Sequence, residues 1–465
     1  MSTRLLLRKH QMAYINGSWL HGDHAILVKD PFNGEIVGKA LNCTRDDALA
    51  AIDAAKAAQL AWSQMEESER RAYLSRFYQV TRDNKTKLAE LLTQESGMPI
   101  ESAYSTICTV RKRFSLASEL HSLPPRGIQT EIAPRHGRIA GFLPSWNLPH
   151  EIVLQRIAET LFAGYPVVLK APSETPLTYL SIAKLVDPYL PKGVFNVITS
   201  TGENEAAVKE VMYHTEGMCS FAYCDSASFS KEVCRNDNVL EYGFYSFPAL
   251  FNDGNIKEAL SCCVSCMSDY SGQLCNKMGH VLVQEGVYDK FVNLLADKMN
   301  RLTVGDPMNG DNRIGCLYNS EVVSNFLSLV DDAVSKGAKI VCGGKRHALG
   351  GTFVEPTILA DVNPSMRVYS EEIIGPLVPV YKFKTADDAI ELCRYLGKNS
   401  AVMILAPSNN EAAEKMEKSL QCTVLRGTYR ALLFLGLLNN LTDGAITLKK
   451  NQEMIVRVSH EDSAP

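Results

Sequence analysis

The sequence has no long apolar run, no block of like charge, no low-complexity linker and no internal repeat. Its most lipid-like stretch, Ala431 to Leu438, is far shorter than the ~20 residues a spanning helix requires, so no membrane partner is expected. The opening MSTRLLLRKHQ offers three leucines before charge resumes, whereas a secretory h-region needs roughly 7 to 15 apolar residues; a cytoplasmic location is expected. A formal net charge of −4, with no cluster of basic residues, leaves no surface for nucleic acid. Paired metal motifs are missing too. Cys262, Cys263 and Cys266 form the densest cysteine group, but no second CxxC or nearby histidine pair completes a tetrahedral set. No metal is therefore expected, and the group reads as helix packing. The odd total of thirteen cysteines, scattered over the chain, favours reduced thiols over a disulfide framework.

What is present is ordinary globular protein. A hydrophobic fraction of 46% with 22% charged residues excludes disorder and fibres, and 465 residues are too many for one core. In AYINGSW, Asn16 and Gly17 sit between short apolar runs and predict a hairpin. Apolar residues at three- and four-residue spacing predict helices over Arg45 to Trp62, Glu67 to Arg82 and Lys85 to Glu95. From Gly137 the texture changes. RIAGFLPS, YPVVLKAP and GVFNVITS read as strands, separated by helices such as Ile152 to Phe162 and Leu177 to Val186.

The alternation returns later in HVLVQ, AKIVCGG and LVPVYKF, with helices from Val287 to Met299, Glu321 to Lys336 and Ala386 to Leu396. Strands alternating with helices mean βαβ units, so the expected fold is α/β with a doubly wound parallel sheet. Two such units meet near Gly243. EMIVRVS at the end reads as a lone strand, which must pair with its own sheet or a neighbouring subunit.

A reactive cysteine is usually found on a tight loop near a helix, where backbone amides favour the thiolate. SGQLCN fits, with Ser-Gly as the turn and Cys275 between a helical run and the strand HVLV. Taken alone, one cysteine among thirteen is as readily core filler. The motif, however, resembles the catalytic cysteine segment of the aldehyde dehydrogenase superfamily. VLEYG resembles that family's Leu-Glu-Leu-Gly-Gly and places its glutamate at Glu241. LPSWNLP resembles Pro-Trp-Asn-Phe-Pro, placing the oxyanion-hole asparagine at Asn147 beside Trp146. VVLKAPSETP resembles the segment whose lysine holds the adenosine ribose, here Lys170, followed by Ser173 and Glu174. EEIIGP resembles Glu-Glu-Ile-Phe-Gly-Pro, whose second glutamate grips the nicotinamide ribose, here Glu372. VGDP and VEPTIL fall between in the family's order, and the likeness runs from AYINGSW to about Pro407.

The resemblance implies oxidation of a small aldehyde to its acid, with NAD or NADP as cofactor. Cys275 would add to the carbonyl as a thiolate, giving a thiohemiacetal oxyanion held by Asn147 and the Cys275 N–H. Hydride loss to the nicotinamide would leave a thioester, which Glu241 would hydrolyse by activating water. Each residue also has a plainer reading: Glu241 as a strand-end carboxylate, Asn147 as a helix cap, Lys170 and Glu372 as solvated charges.

The pattern also departs from the family. Where a Gly-Ser-Thr turn should meet the cofactor diphosphate, FAYCDSASFS carries Tyr223 and Cys224. Phe244 replaces the last glycine of the glutamate motif. Ser173 stands where members preferring NAD often have glutamate, which leaves NAD and NADP both open. Past Cys422, CTVLRGTYRALLFLGLLNN has no counterpart of the family's tunnel-closing segments, so the aldehyde is not identified. Two other readings compete: a CoA-acylating relative, which has no use for Glu241, and a cofactor-impaired relative acting as a binding or structural protein.

The expected organisation is a dinucleotide-binding domain over 1–120 and 140–243, a catalytic domain over 244–435, and an oligomerisation arm of 121–139 and 436–465. Within the arm, Gly127 to Ala133 would join Glu453 to Ser459, forming a homodimer or homotetramer. Cofactor and aldehyde should meet at strand carboxyl ends between the two domains.

Overall fold

Asn16 and Gly17 take left-handed φ values of 53° and 69°, closing strand β1 (Met12–Ile15) onto β2 (Ser18–His21) as a two-residue hairpin. The structure, a computed structural model, describes residues 12–108, 139–148, 150–223, 239–242, 246–275, 279–393, 401–407, 410–420 and 423–426. The chain divides into two compact units, one running to Tyr242 and the other beginning at Gly243.

In the first unit, β3 (Ala25–Lys29) and β4 (Ile36–Leu41) pair with each other, while β1 and β2 edge a larger sheet. That sheet adds β5 (Ile139–Pro144), β6 (Val167–Ala171), β7 (Phe195–Thr199), β8 (Met218–Tyr223) and β9 (Val239–Tyr242) in the order β2-β1-β7-β6-β5-β8-β9. β5 to β9 are parallel, and every residue of β5, β6 and β7 is buried, as a sheet covered on both faces requires. Successive strands run to one side of β5 and then cross to β8 on the other. The sheet is therefore doubly wound, with its switch point between the carboxyl ends of β5 and β8.

The expected helices form with ends shifted by a residue or two: Arg45–Gln64, Glu67–Asp83, Lys85–Ser96, His150–Phe162 and Pro176–Val186. Thr44 starts the first with a reciprocal capping box to Asp47. A helix over Glu203–His214 was not foreseen, because charge interrupts its apolar stripe.

The second unit orders its strands β12-β13-β14-β11-β10-β15-β16, from β10 (Ser246–Leu250), β11 (Val281–Gln284), β12 (Lys339–Cys342), β13 (Thr357–Ala360), β14 (Leu377–Phe383), β15 (Ala401–Leu405) and β16 (Thr423–Arg426). All neighbours are parallel except β12 and β13. Asn255, Asn319 and Asn410 cap helices Ile256–Ser268, Ser320–Ser335 and Glu411–Ser419 through their side chains. The helix expected from Ala386 is described to Cys393, and residues 394–396 lie outside the described part.

Cys262, Cys263 and Cys266 are buried in one apolar cluster with Leu260, Val292 and Leu295. Burial pushes the thiols of Cys262 and Cys263 well up, so they pack as neutral groups. Among the described residues no trio of His, Cys, Asp or Glu could hold a metal ion. No described helix is long and apolar enough to cross a membrane. Both halves of the expected arm, and residues 224–230 of the altered turn, lie outside the described residues; Ile139 is instead the first residue of β5.

A buried carboxylate ties two helices of the first unit together. Glu95 accepts the Leu177 and Thr178 backbone N–H groups at 2.8 and 3.0 Å, at the start of Pro176–Val186. Burial pushes its pKa from 4.5 up to about 7, against the downward pull of those hydrogen bonds. Between these values the unfolded chain is ionised while folded Glu95 keeps its proton. Stability should then fall as pH rises from about 4.5 to about 7, by up to on the order of 3 kcal/mol, and level off above. Glu95→Gln should flatten that fall, which melting temperatures measured across the window would check. An unchanged slope would assign the dependence to other groups.

Candidate active site

Along the first sheet, register places the predicted residues at one edge. Pro144, Tyr223 and Tyr242 lie abreast at the carboxyl ends of β5, β8 and β9. Asn147 and half-buried Trp146 follow β5 in a turn, and Glu241 pairs with Ala222 just inside the end of β9. The Ser145 hydroxyl donates to Asn147 Oδ1 at 2.8 Å, so the amide NH₂ is the donating end of this buried side chain.

Lys170 lies near the end of β6, abreast of Ile198 on β7. It is not a solvated charge. Its side chain is only 4% exposed, and its ammonium pairs at 2.5 Å with Glu205 Oε1. Burial lowers the Lys170 pKa, while Glu205 offsets part of that cost. Ser173 donates to Glu174 Oε2 at 3.0 Å, beside the same strand end.

In the second unit, helix Ile256–Ser268 carries the chain from the carboxyl end of β10 back to the amino end of β11. Cys275 lies there, 4% exposed and in no disulfide. Glu372 precedes β14, the neighbour of β11, so both candidates sit at the amino edge of their sheet. The first unit's candidates lie at strand carboxyl ends, whereas these two lie where the chain enters its strands. The reason is connectivity: both segments are the loops that enter β11 and β14.

The Cys275 loop is strained and clamped. Tyr270 and Ser271 adopt left-handed φ values of 50° and 56°, followed by Gly272 at 69°. Each non-glycine residue in that region costs about 1–2 kcal/mol. Five hydrogen bonds hold it. Ser271 Oγ accepts the Gly315 N–H at 2.8 Å; Gln273 accepts from Tyr318 N–H at 2.9 Å and donates to Tyr270 and Cys316 carbonyls; Gly375 N–H donates to Gly272 O at 3.0 Å. The last bond joins the Cys275 loop to the Glu372 segment. A Cβ on Gly272 would lie 2.4 Å from Gly375 O, while Gly375 itself takes φ +128° with its own Cβ position 2.7 Å from Phe326.

Residues 19–425 match the aldehyde dehydrogenase family. The chain belongs to that family. It is 31% identical to the succinate-semialdehyde dehydrogenase [NADP(+)] of Escherichia coli, over 82% of each chain. It is 33% identical to the glutarate-semialdehyde dehydrogenase of Pseudomonas aeruginosa, with the same coverage. The succinate-semialdehyde dehydrogenase structure from Burkholderia pseudomallei superposes with a TM-score of 0.80 at 27% identity, over 91% of this chain and 90% of that one.

An aldehyde dehydrogenase oxidises an aldehyde to an acid with NAD or NADP, and this is the activity of the chain. A purely structural or binding role is not favoured by these likenesses. Toward a dinucleotide the first sheet offers the buried ammonium of Lys170 at a strand carboxyl end, paired with Glu205. Sequence reasoning missed Glu205, Gln273 and Gly375 as partners of the candidate residues and their loops. Gly375 had a visible signal, a glycine before proline just after Glu372, but nothing local pointed to Glu205.

Gly272→Ala should destabilise the second unit by about 3 kcal/mol or more, from left-handed strain plus collision with Gly375. Gly350→Ala is the control. Its φ is +72° but no atom lies within 4 Å of the added Cβ, so only about 1 kcal/mol is expected. Equal losses in urea unfolding would show that the glycine crossing is not close-packed.

Proposed function

We propose that Cys275, Glu241 and Asn147 carry the aldehyde chemistry, and that Lys170, Ser173, Glu174, Trp146 and Glu372 hold the cofactor. The observation that carries this reading is the strained, clamped turn that presents Cys275, because a packing cysteine needs no such backbone. Cys275 Sγ, as thiolate, forms a bond to the aldehyde carbonyl carbon, and the carbonyl oxygen becomes an oxyanion. The Asn147 amide and the Cys275 backbone N–H donate to that oxygen. NAD or NADP, when bound, supplies the two-electron acceptor that converts the adduct to a thioester. Glu241 takes a proton from water, the hydroxide adds to the thioester, and Cys275 leaves as thiolate with release of the acid.

The reading also includes a dinucleotide domain over 1–120 and 140–243, a catalytic domain over 244–435 and a cytoplasmic homodimer or homotetramer joined through 121–139 and 436–465. The decisive assay is NAD(P)H absorbance on mixing the protein with either cofactor and a panel of aldehydes. Succinate and glutarate semialdehydes come first, because they name the similar enzymes. Reduction of neither cofactor by any aldehyde would end the reading. Deleting residues 453–465 should lower the mass seen by light scattering, and an unchanged mass would remove the tail from the subunit contact.

A further inference from the structure

Lys170 is already engaged. Its ammonium lies 2.5 Å from Glu205 Oε1, and Lys209 approaches the same oxygen at 3.2 Å. Glu205 stands in the first turn of the helix that follows β7, the strand beside β6, so adjacent strand ends bring the two charges together. The carboxylate is 27% exposed, open enough to meet a ligand, whereas Lys170 is nearly sealed. Burial alone would raise the pKa of Glu205, but the two lysines hold it below the ordinary carboxylate value. Ser173, the position that often supplies a carboxylate in NAD-preferring relatives, is neutral and turned to Glu174.

We propose that Glu205 is a specificity-determining residue that favours NAD over NADP by occupying Lys170 and facing the adenosine ribose. This inference rests on the reading that Lys170 lies at that ribose. A 2′,3′-diol is neutral and both donates and accepts. Its hydroxyls can donate to Glu205 and accept from Lys170 without parting the pair. A 2′-phosphate carries about −1.5 to −2 charges and only accepts. It is repelled by Glu205 and must pull Lys170 away from it. Lys170 and Lys209 are balanced by Glu205 and Glu174, so the cluster offers a phosphate no net charge; removing Glu205 leaves one positive charge. The carboxylate missing at position 173 is thus supplied from the neighbouring strand's helix.

Calorimetric titration of the full chain with 5′-AMP and with adenosine 2′,5′-bisphosphate tests this without catalysis and without the diphosphate bridge that meets the altered turn. The natural protein should bind 5′-AMP more tightly. Glu205→Gln should shift the affinity ratio toward the bisphosphate by roughly 10- to 100-fold. The double variant Ser173→Glu with Glu205→Gln should shift it back. If Glu205→Gln does not fold, Glu205→Asp should move the ratio the same way by a smaller factor. An unchanged ratio in the folded variant, with Lys170→Met still weakening both ligands, overturns the role of Glu205 alone. Unchanged affinities in Lys170→Met, or no binding of either probe by the natural protein, overturn the ribose assignment as well.

Discussion

Cys275→Ala is expected to lower aldehyde oxidation by on the order of 1,000-fold or more while leaving the fold intact, since loss of an attacking atom removes the covalent route altogether. The folding half of this expectation follows from how the loop is held. Ser271 on Gly315, Gln273 on Tyr318 and Gly375 on Gly272 fix the turn through atoms that the substitution does not touch. Removing one buried sulfur should cost only about 1–2 kcal/mol. Turnover and thermal unfolding measured on the same preparation separate the two effects. Turnover at the natural rate would show that the nucleophile lies elsewhere, and loss of folding would show that Cys275 is chiefly core.

Glu241→Gln is expected to slow steady-state oxidation by about 100-fold or more, the usual contribution of a general base. The loss should fall on the second half of the reaction. Rapid mixing should give a burst of NAD(P)H approaching one equivalent per site, then a slow phase limited by thioester hydrolysis. Glutamine keeps the shape and polarity of the side chain, and Glu241 keeps its place in β9 through the backbone pairing with Ala222. A burst is therefore informative about chemistry rather than folding. Natural steady-state rates would remove Glu241 from the mechanism; equal slowing of the burst itself would make it a positioning residue for the first step.

The activity of this chain was legible because its likeness to the family is carried by short segments. SGQLCN, VLEYG, LPSWNLP and EEIIGP can be read in order without knowing where they lie in space. Helices such as Arg45–Gln64 and Ser320–Ser335 were legible because half-buried helices repeat their apolar residues at a fixed period. β5, β6 and β7 were legible as short apolar runs because a covered parallel sheet buries both faces. Helices Glu203–His214 and Glu411–Ser419 escaped notice, since their exposed faces are charged and their buried stripes short.

By itself, then, the sequence determined the reaction class, the alternation of strands and helices and the join near Gly243. Each depends on residues close together in the chain. Only the tertiary structure decided which edge of each sheet bears the candidates, that Tyr270 and Ser271 are driven into left-handed backbone, and that Glu95 caps a helix 82 residues away. It also decided that Lys170 meets Glu205 across adjacent strand ends. The physical reason is common to all four. Local composition limits what a backbone segment and its side chains can do, but burial, charge pairing and strain depend on neighbours distant in sequence, whose contacts exist only once the chain has folded.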